Sequence, residues 1–348
     1  MKRLKLSAEA ECELMFIDEF NELCKPIFDL AHGHHVFIIT DDKVSALYLD
    51  RVEQMFRRQS IMFSSLILPQ GEPTKSMDGL SNIYRLLISN SAGRKDLILN
   101  LGGGMISDLG GFAAATYMRG IEYINIPTTL LGMVDSGFGG KTAINFEGIK
   151  NVIGNFHSAA ITLIYPEFLH TLPVSEIKSG MGEVIKYTLI SNDVTLLPNK
   201  KVPNLELILT CCKVKKHYIE LDALDNGKRK ILNFGHTFGH AFEAGSRFTL
   251  SHGEAVGLGM LAAVRFGNFM KITPCNIESE LKQLLETYDM PTDYSPYISA
   301  ALGELTHDKK NIGGLIDMIF LKDIGVPFIM KVPVEKARGF LINDSLYC

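Results

Sequence analysis

Apolar residues in the first half of the chain fall into two alternating patterns. Residues 36–40 (VFIIT) form a short unbroken apolar run that stops at Asp41-Asp42, the mark of a strand buried on both faces. Val44, Leu47, Tyr48, Val52, Met55 and Phe56 then recur at helical spacing. Residues 61–68 return to strand character, and Leu80, Ile83, Tyr84 and Leu87 mark another helix face. Residues 97–101 run as a strand into three glycines, and 123–126 stop at Pro127. Strands and helices alternating over such short distances predict parallel βαβ units, whose ligands gather at the carboxyl ends of the strands.

After about residue 165 the strand pattern fades. Residues 175–190, 205–221, 229–245, 253–271 and 276–288 are predicted helical, the last from the stripe Ile277, Leu281, Leu284, Leu285 and Tyr288. Residues 192–204 (NDVTLLPNKKVPN) read as an irregular loop. The predicted architecture is therefore α/β: a Rossmann-like parallel-sheet domain over 1–168, then an all-α domain over 169–348. The boundary falls within 165–175, and no Gly/Ser linker or internal repeat marks it.

Composition agrees with two domains. The chain has 348 residues, 46% hydrophobic and 21% charged, which excludes a disordered or collagen-like polymer. It is longer than the roughly 250–300 residues at which single cores stop growing. With 35 Lys plus Arg against 39 Asp plus Glu, the net charge is −4, so no global basic field favours nucleic acid as a partner. No apolar stretch approaches the ~20 residues that cross a bilayer. The first residues, MKRLKLSAEAECELMF, lack the apolar core and cleavage site of a signal peptide. The six cysteines form no CxxC pair, which fits free thiols in a reducing compartment. The expectation is a cytoplasmic protein without membrane contact.

Three groups of residues carry chemistry. Gly102-Gly103-Gly104 follows a strand and precedes Ser107-Asp108 at a helix start, a variant of the dinucleotide loop in which bare backbone meets a pyrophosphate; a plain tight turn is the competing reading. A second glycine-rich piece, Gly137–Thr142, lacks the Walker spacing, which disfavours ATP. His236 and His240 stand four apart, His252 follows in LSHGEAVG, and Glu183 in GMGEVIKY offers an oxygen. This set suits zinc or another divalent metal, although spacing alone leaves open which two histidines bind. Finally Arg119, Lys141, Lys150, Lys186, Lys215, Arg229 and the Lys309-Lys310 pair recur near these acids, several within apolar or glycine-rich surroundings. A substrate with a phosphate and a carboxylate would use them. A helix beginning by Arg229 would turn about 400° to Asn233 and about 700° to His236, placing all three near one face.

The string GGGMISDLGGFAAATYMRGIEYINIPTTLLGMVDSGFGGKTAINFEGIKN, with SGMGEVIKY, RKILNFGHTFGHAFEA, SHGEAVGLGM and HDKKN, closely resembles the 3-dehydroquinate synthase family of the sugar phosphate cyclase superfamily. The resemblance spans about 36–322. It implies an NAD-binding α/β domain, a helical domain holding one divalent metal (zinc or cobalt), a phosphorylated sugar acid as substrate, and a homodimer. By motif it assigns the metal to Glu183, His236 and His252, with His240 in proton transfer. It assigns NAD to Asp41, Glu72, Lys75, Gly103, Gly104, Asp108, Thr128, Thr129 and Lys150. Substrate contacts fall to Arg119, Asp135, Lys141, Asn151, Lys186, Lys215, Arg229, Asn233 and one or both of Lys309 and Lys310. The implied reaction converts 3-deoxy-D-arabino-heptulosonate 7-phosphate to 3-dehydroquinate and phosphate. The sequence departs from the family's DExE pattern, having Ala223 and Asp225 where glutamates are usual. Cyclases of the 2-deoxy-scyllo-inosose or valiolone type commonly alter GGKT, the arginine before LN, or the second histidine, all retained here. An amino-substrate variant shares most positions, and a metal-dependent alcohol dehydrogenase is the more distant alternative.

Overall fold

The computed structural model describes residues 2–6, 11–194, 203–247, 249–307 and 314–344. The chain divides between Leu172 and Pro173 into two compact units.

The first unit is built on a seven-stranded sheet. Its strands are β1 (Lys2–Leu6), β2 (Cys12–Phe16), β3 (Val36–Asp41), β4 (Phe63–Leu68), β5 (Leu97–Gly102), β6 (Tyr123–Pro127) and, after a separate hairpin of β7 (Lys141–Phe146) and β8 (Ile149–Phe156), β9 (Ile161–Ile164). The order is β1-β2-β9-β6-β5-β3-β4, parallel except for the edge strand β1, which runs antiparallel to β2. All residues of β3 and β5 are buried, as expected of mainly apolar strands in a parallel sheet; the one amide among them, Asn100, donates to Asn125 Oδ1 at 2.9 Å. The sheet is dressed by α1 (Cys24–Ala31), α2 (Asp42–Val44), which passes through a π turn into α3 (Asp50–Arg58), α4 (Met77–Ser89) and α5 (Gly104–Thr116). The chain leaves β3 for β4 on one side and returns to place β5 on the other. That reversal is the switch point at which open parallel sheets bind ligands. Thr40 pairs in register with Leu101, so Asp41 and Gly102 end side by side there. The piece 137–142 enters strand β7, not a helix, so it forms no phosphate loop of the P-loop kind.

The second unit carries α6 (Val174–Ile190), α7 (Leu205–Leu221), α8 (His236–Gly245), α9 (His252–Phe269), α10 (Asn276–Thr287), α11 (Ile298–His307) and α12 (Val334–Asp344). It also holds a hairpin of β10 (Leu315–Leu321) and β11 (Pro327–Pro333), so this unit is helical but not all-α. The pair was hidden because each strand is a short apolar stretch broken by one charge, Asp317 or Lys331, and so brief a stretch cannot be separated from buried helix by periodicity. A second correction concerns 229–245. Lys228–Asn233 is a 3-10 turn, and the chain swings through Gly235 at φ +81° before α8 begins. A side chain at Gly235 would meet the Met260 backbone N at 2.8 Å. Arg229 and His236 therefore do not share a helix face, and the helical-turn argument linking them fails. Most of the predicted loop 192–204 lies outside the described residues.

Candidate metal centre and dinucleotide site

In the second unit, glycine contacts bring three helices close enough for their side chains to converge. A Cβ on Gly182 would lie 2.4 Å from the Gly253 carbonyl oxygen, and one on Gly253 only 2.0 Å from that of Ser179. These bare contacts press α6 against the start of α9, one residue from Glu183 and one from His252. Gly239 meets α9 in the same way, 2.9 Å from the Ala255 carbonyl oxygen. Ser251 and Glu254 form a capping box that starts α9 at His252, and Gly235 starts α8 at His236. Each histidine is thus the first residue of its helix.

The result is a trio in which Glu183 and His236 are buried and His252 is half-buried. Glu183 Oε1 lies 3.4 Å from His236 Nε2 and 3.3 Å from His252 Nε2, with the glutamate 0% exposed. Zinc bonds of about 2.0–2.2 Å at tetrahedral angles hold donor atoms about 3.3–3.6 Å apart, so this spacing fits one ion. The donor set, one carboxylate and two imidazoles, suits zinc or cobalt. His236 Nδ1 sits 3.2 Å from the Phe234 carbonyl oxygen; donating there places the proton on Nδ1 and leaves Nε2 free to ligate. Burial alone would lower the pKa of His252, but hydrogen bonds and charge from Glu183 and Glu243 outweigh it and push the pKa up to about 9. A proton is held where a cation fits. Lys186, 1% exposed, forms an ion pair with the other oxygen of Glu183. Exposed His240 stays outside this trio; it closes a second one with Glu243 and His252.

Elsewhere in the second unit, Lys215 on α7 and Arg229 in the 3-10 turn are buried. Asp222 accepts backbone N–H bonds from Asn226 (3.0 Å), Gly227 (2.6 Å) and Arg229 (3.1 Å). Burial pushes the Asp222 carboxyl up, yet these bonds and the Arg229 charge hold it below the usual carboxylate range. Arg229 Nη1 donates to the carbonyl oxygen of residue 223 at 2.5 Å. The departure at Ala223 therefore leaves this contact intact, since the backbone makes it. Asp225 is half-buried with φ +59°, and half-buried Asn233 ends the 3-10 turn. Lys309 and Lys310 lie outside the described residues.

In the first unit, the glycine turn after β5 delivers the N-terminus of α5, with Gly103 as its cap. A Cβ on Gly103 would come within 2.9 Å of Thr129 Cγ2, and one on Gly104 within 2.8 Å of Ser136 Oγ. Only bare backbone passes there, as a pyrophosphate-binding turn requires. Asp41, at the end of β3, caps α2 by accepting the Val44 N–H at 2.9 Å, and burial pushes its carboxyl pKa up. Lys75 is buried and donates to Asp108 Oδ2 and to Asn151 Oδ1, each at 2.5 Å. Glu72 accepts from Asn145 Nδ2 at 2.8 Å. Buried Thr128 bonds the Gly102 carbonyl oxygen through its N–H at 3.0 Å, and Thr129 Oγ1 accepts from Gly132 at 3.0 Å. Half-buried Lys150 follows on β8, exposed Lys141 opens β7, and Asp135 lies in a π turn. Arg119 is exposed in a left-handed backbone at φ +71°, beside Met118 at +49° and Gly120 at +118°.

The structure thus gathers Lys75, Asp108 and Asn151 in one unit, and Glu183, Lys186, His236 and His252 in the other. Sequence reasoning missed Asp222, Asn145 and Glu243. Two had a signal: Asp222 opens the stretch compared with the family's DExE pattern, and Glu243 stands three residues after His240 and seven after His236, on one helix face.

The family described as 3-dehydroquinate synthase N-terminal matches residues 65–179, and the corresponding C-terminal family matches 180–311. The 3-dehydroquinate synthase of Clostridium acetobutylicum is 37% identical over 98% of this chain and 99% of its own length. Among solved structures, 2-deoxy-scyllo-inosose synthase complexed with carbaglucose-6-phosphate, NAD+ and Co2+ superposes with a TM-score of 0.89 at 23% identity, covering 98% of this chain and 99% of that one. The 2-epi-5-epi-valiolone synthase of Streptomyces hygroscopicus, with NAD+ and Zn2+ bound, gives 0.88 at 22% identity over 100% of each chain. At these identities the two superpositions establish the fold. The sequence matches establish more: the chain belongs to the 3-dehydroquinate synthase family.

Proposed function

We propose that this chain is a 3-dehydroquinate synthase, converting 3-deoxy-D-arabino-heptulosonate 7-phosphate to 3-dehydroquinate and phosphate in aromatic amino acid biosynthesis. The observation that carries the reading is the 37% identity to a 3-dehydroquinate synthase over 98% of the chain. The Glu183–His236–His252 trio supports one divalent metal, and the bare turn at Gly103-Gly104 supports NAD. When bound, NAD supplies reversible hydride transfer at a substrate carbinol, and the metal polarises that carbinol oxygen.

The residues do the remaining work. Lys75, fixed by Asp108 and Asn151, presents a buried positive charge near the dinucleotide turn. Lys186, Lys215 and Arg229 supply cations for the substrate's carboxylate and phosphate. Exposed His240, one turn beyond His236, carries protons. Lys141, Arg119, Asp135, Asn233, Asp225, Lys309 and Lys310 complete the substrate contacts. A cytoplasmic homodimer is part of the proposal. The five described cysteines are free thiols, as a reducing compartment keeps them.

The test is to incubate purified protein with the heptulosonate phosphate, NAD and Co2+ or Zn2+, and to follow phosphate and dehydroquinate. Equal amounts of the two, without accumulating NADH, are expected. NADH rising in proportion to product would replace the reading with a dehydrogenase. Turnover only of an amino-substituted or different sugar phosphate would move the chain to another cyclase activity.

A further inference from the structure

The two histidines of the trio present the same atom, Nε2, to Glu183 Oε1, so each needs its remaining ring proton on Nδ1. For His236 the backbone meets that need through the Phe234 carbonyl oxygen at 3.2 Å. No such carbonyl contact is seen for His252 among the described residues. Its Nδ1 faces a side chain instead: Glu243 Oε2, 3.9 Å away on α8. Glu243 is 9% exposed, and a carboxylate that far from water is costly unless it serves a partner. His252 thereby stands between two carboxylates from two helices, Glu183 at 3.3 Å from Nε2 and Glu243 at an ion-pair distance of 3.9 Å from Nδ1.

We propose that Glu243 is a positioning residue for the metal centre, fixing the tautomer and ring orientation of His252 so that Nε2 ligates. It also adds a negative charge just behind the ligands, which favours a divalent ion over an empty site. The inference rests on the metal assignment made above. Outer carboxylates of this kind are typically worth about 10–100-fold in metal affinity.

The experiment measures Co2+ and Zn2+ affinity of metal-stripped protein by competition with a chromophoric chelator, without substrate. Wild type is compared with Glu243→Ala and Glu243→Gln. Both variants are expected to bind at least about tenfold more weakly, and their Co2+ complexes to show a shifted visible spectrum. Melting of the metal-stripped protein is recorded alongside, because a purely structural residue would lower it and leave affinity and spectrum unchanged. Should the alanine variant not fold, the near-isosteric glutamine variant decides. Affinities within twofold of wild type, with an unaltered cobalt spectrum, would overturn the inference. Wild type that binds no ion would instead overturn the metal assignment itself, so the two failures are distinguishable.

Discussion

Replacing Gly253 by alanine tests whether backbone contact between α6 and α9 builds the metal centre. The new Cβ would stand 2.0 Å from the Ser179 carbonyl oxygen, with the Ser179 carbonyl carbon at 2.6 Å and Cα at 2.7 Å. All three are backbone atoms, so no side chain can swing aside. Since real contacts do not fall below 3.0 Å, the helices must part by about 1 Å at this point, in a core that resists small displacements. Overpacking on this scale costs about 1–3 kcal/mol. The larger effect is on the site, because Glu183 and His252 adjoin the clash. Their donor atoms are 3.3 Å apart, and metal bonds tolerate only about 0.2 Å of misfit. Metal affinity should therefore fall by more than tenfold, and turnover by about 100-fold, while the melting point of the metal-stripped protein drops by only a few degrees. Chelator competition, calorimetry and the phosphate-release assay read these quantities. Wild-type metal affinity in Gly253→Ala would refute the claim that this crossing sets the ligand spacing.

Three further outcomes follow from the described contacts. His252→Ala should lose bound metal and activity together, whereas His240→Ala should keep its metal and lose rate; metal analysis by mass spectrometry separates the two, and loss of metal from the latter would make His240 a ligand. Lys75→Met should weaken NAD binding at least about tenfold, since it removes a charge-assisted bond of about 1.5–3 kcal/mol to Asp108; NAD titration by fluorescence checks it, and unchanged affinity would detach Lys75 from the dinucleotide. Arg229→Lys should cost roughly 2 kcal/mol in kcat/KM, because lysine cannot reproduce the planar fork that holds the residue 223 carbonyl and presents the remaining N–H groups; a near wild-type value would remove Arg229 from the substrate contacts.

The parallel sheet was legible because its central strands are short, mostly apolar runs that alternate with helical stretches and stop at glycine, proline or aspartate. What escaped was short or edge-bound: β1 mixes charge with leucine, and β10 and β11 are short stretches among helices, each interrupted by a charge. The trio was partly legible. Glu183, His236 and His252 could be picked out as ligand types, but their convergence depends on which glycines face which backbones, and one-dimensional spacing does not encode that. The error at Arg229 has the same origin. A helix was drawn through Gly235, whose left-handed backbone ends the 3-10 turn and aims His236 anew.

Lys75 joins more than its two side-chain partners. Its carbonyl oxygen accepts the Asn145 N–H at 2.8 Å, while its ammonium holds Asn151 across the same hairpin and Asp108 on α5. One residue thus rivets the β7–β8 ribbon to the dinucleotide turn. The ribbon pairs with no other strand among the described residues but packs on α5, where Thr142 lies against Gly111, so helix and ribbon place that ammonium together. Substitutions that loosen the ribbon at exposed positions such as Val152 are therefore expected to lower NAD affinity by shifting Asn151 and, through it, Lys75. A survey of variants by activity alone would mistake them for binding residues, when their effect is mechanical.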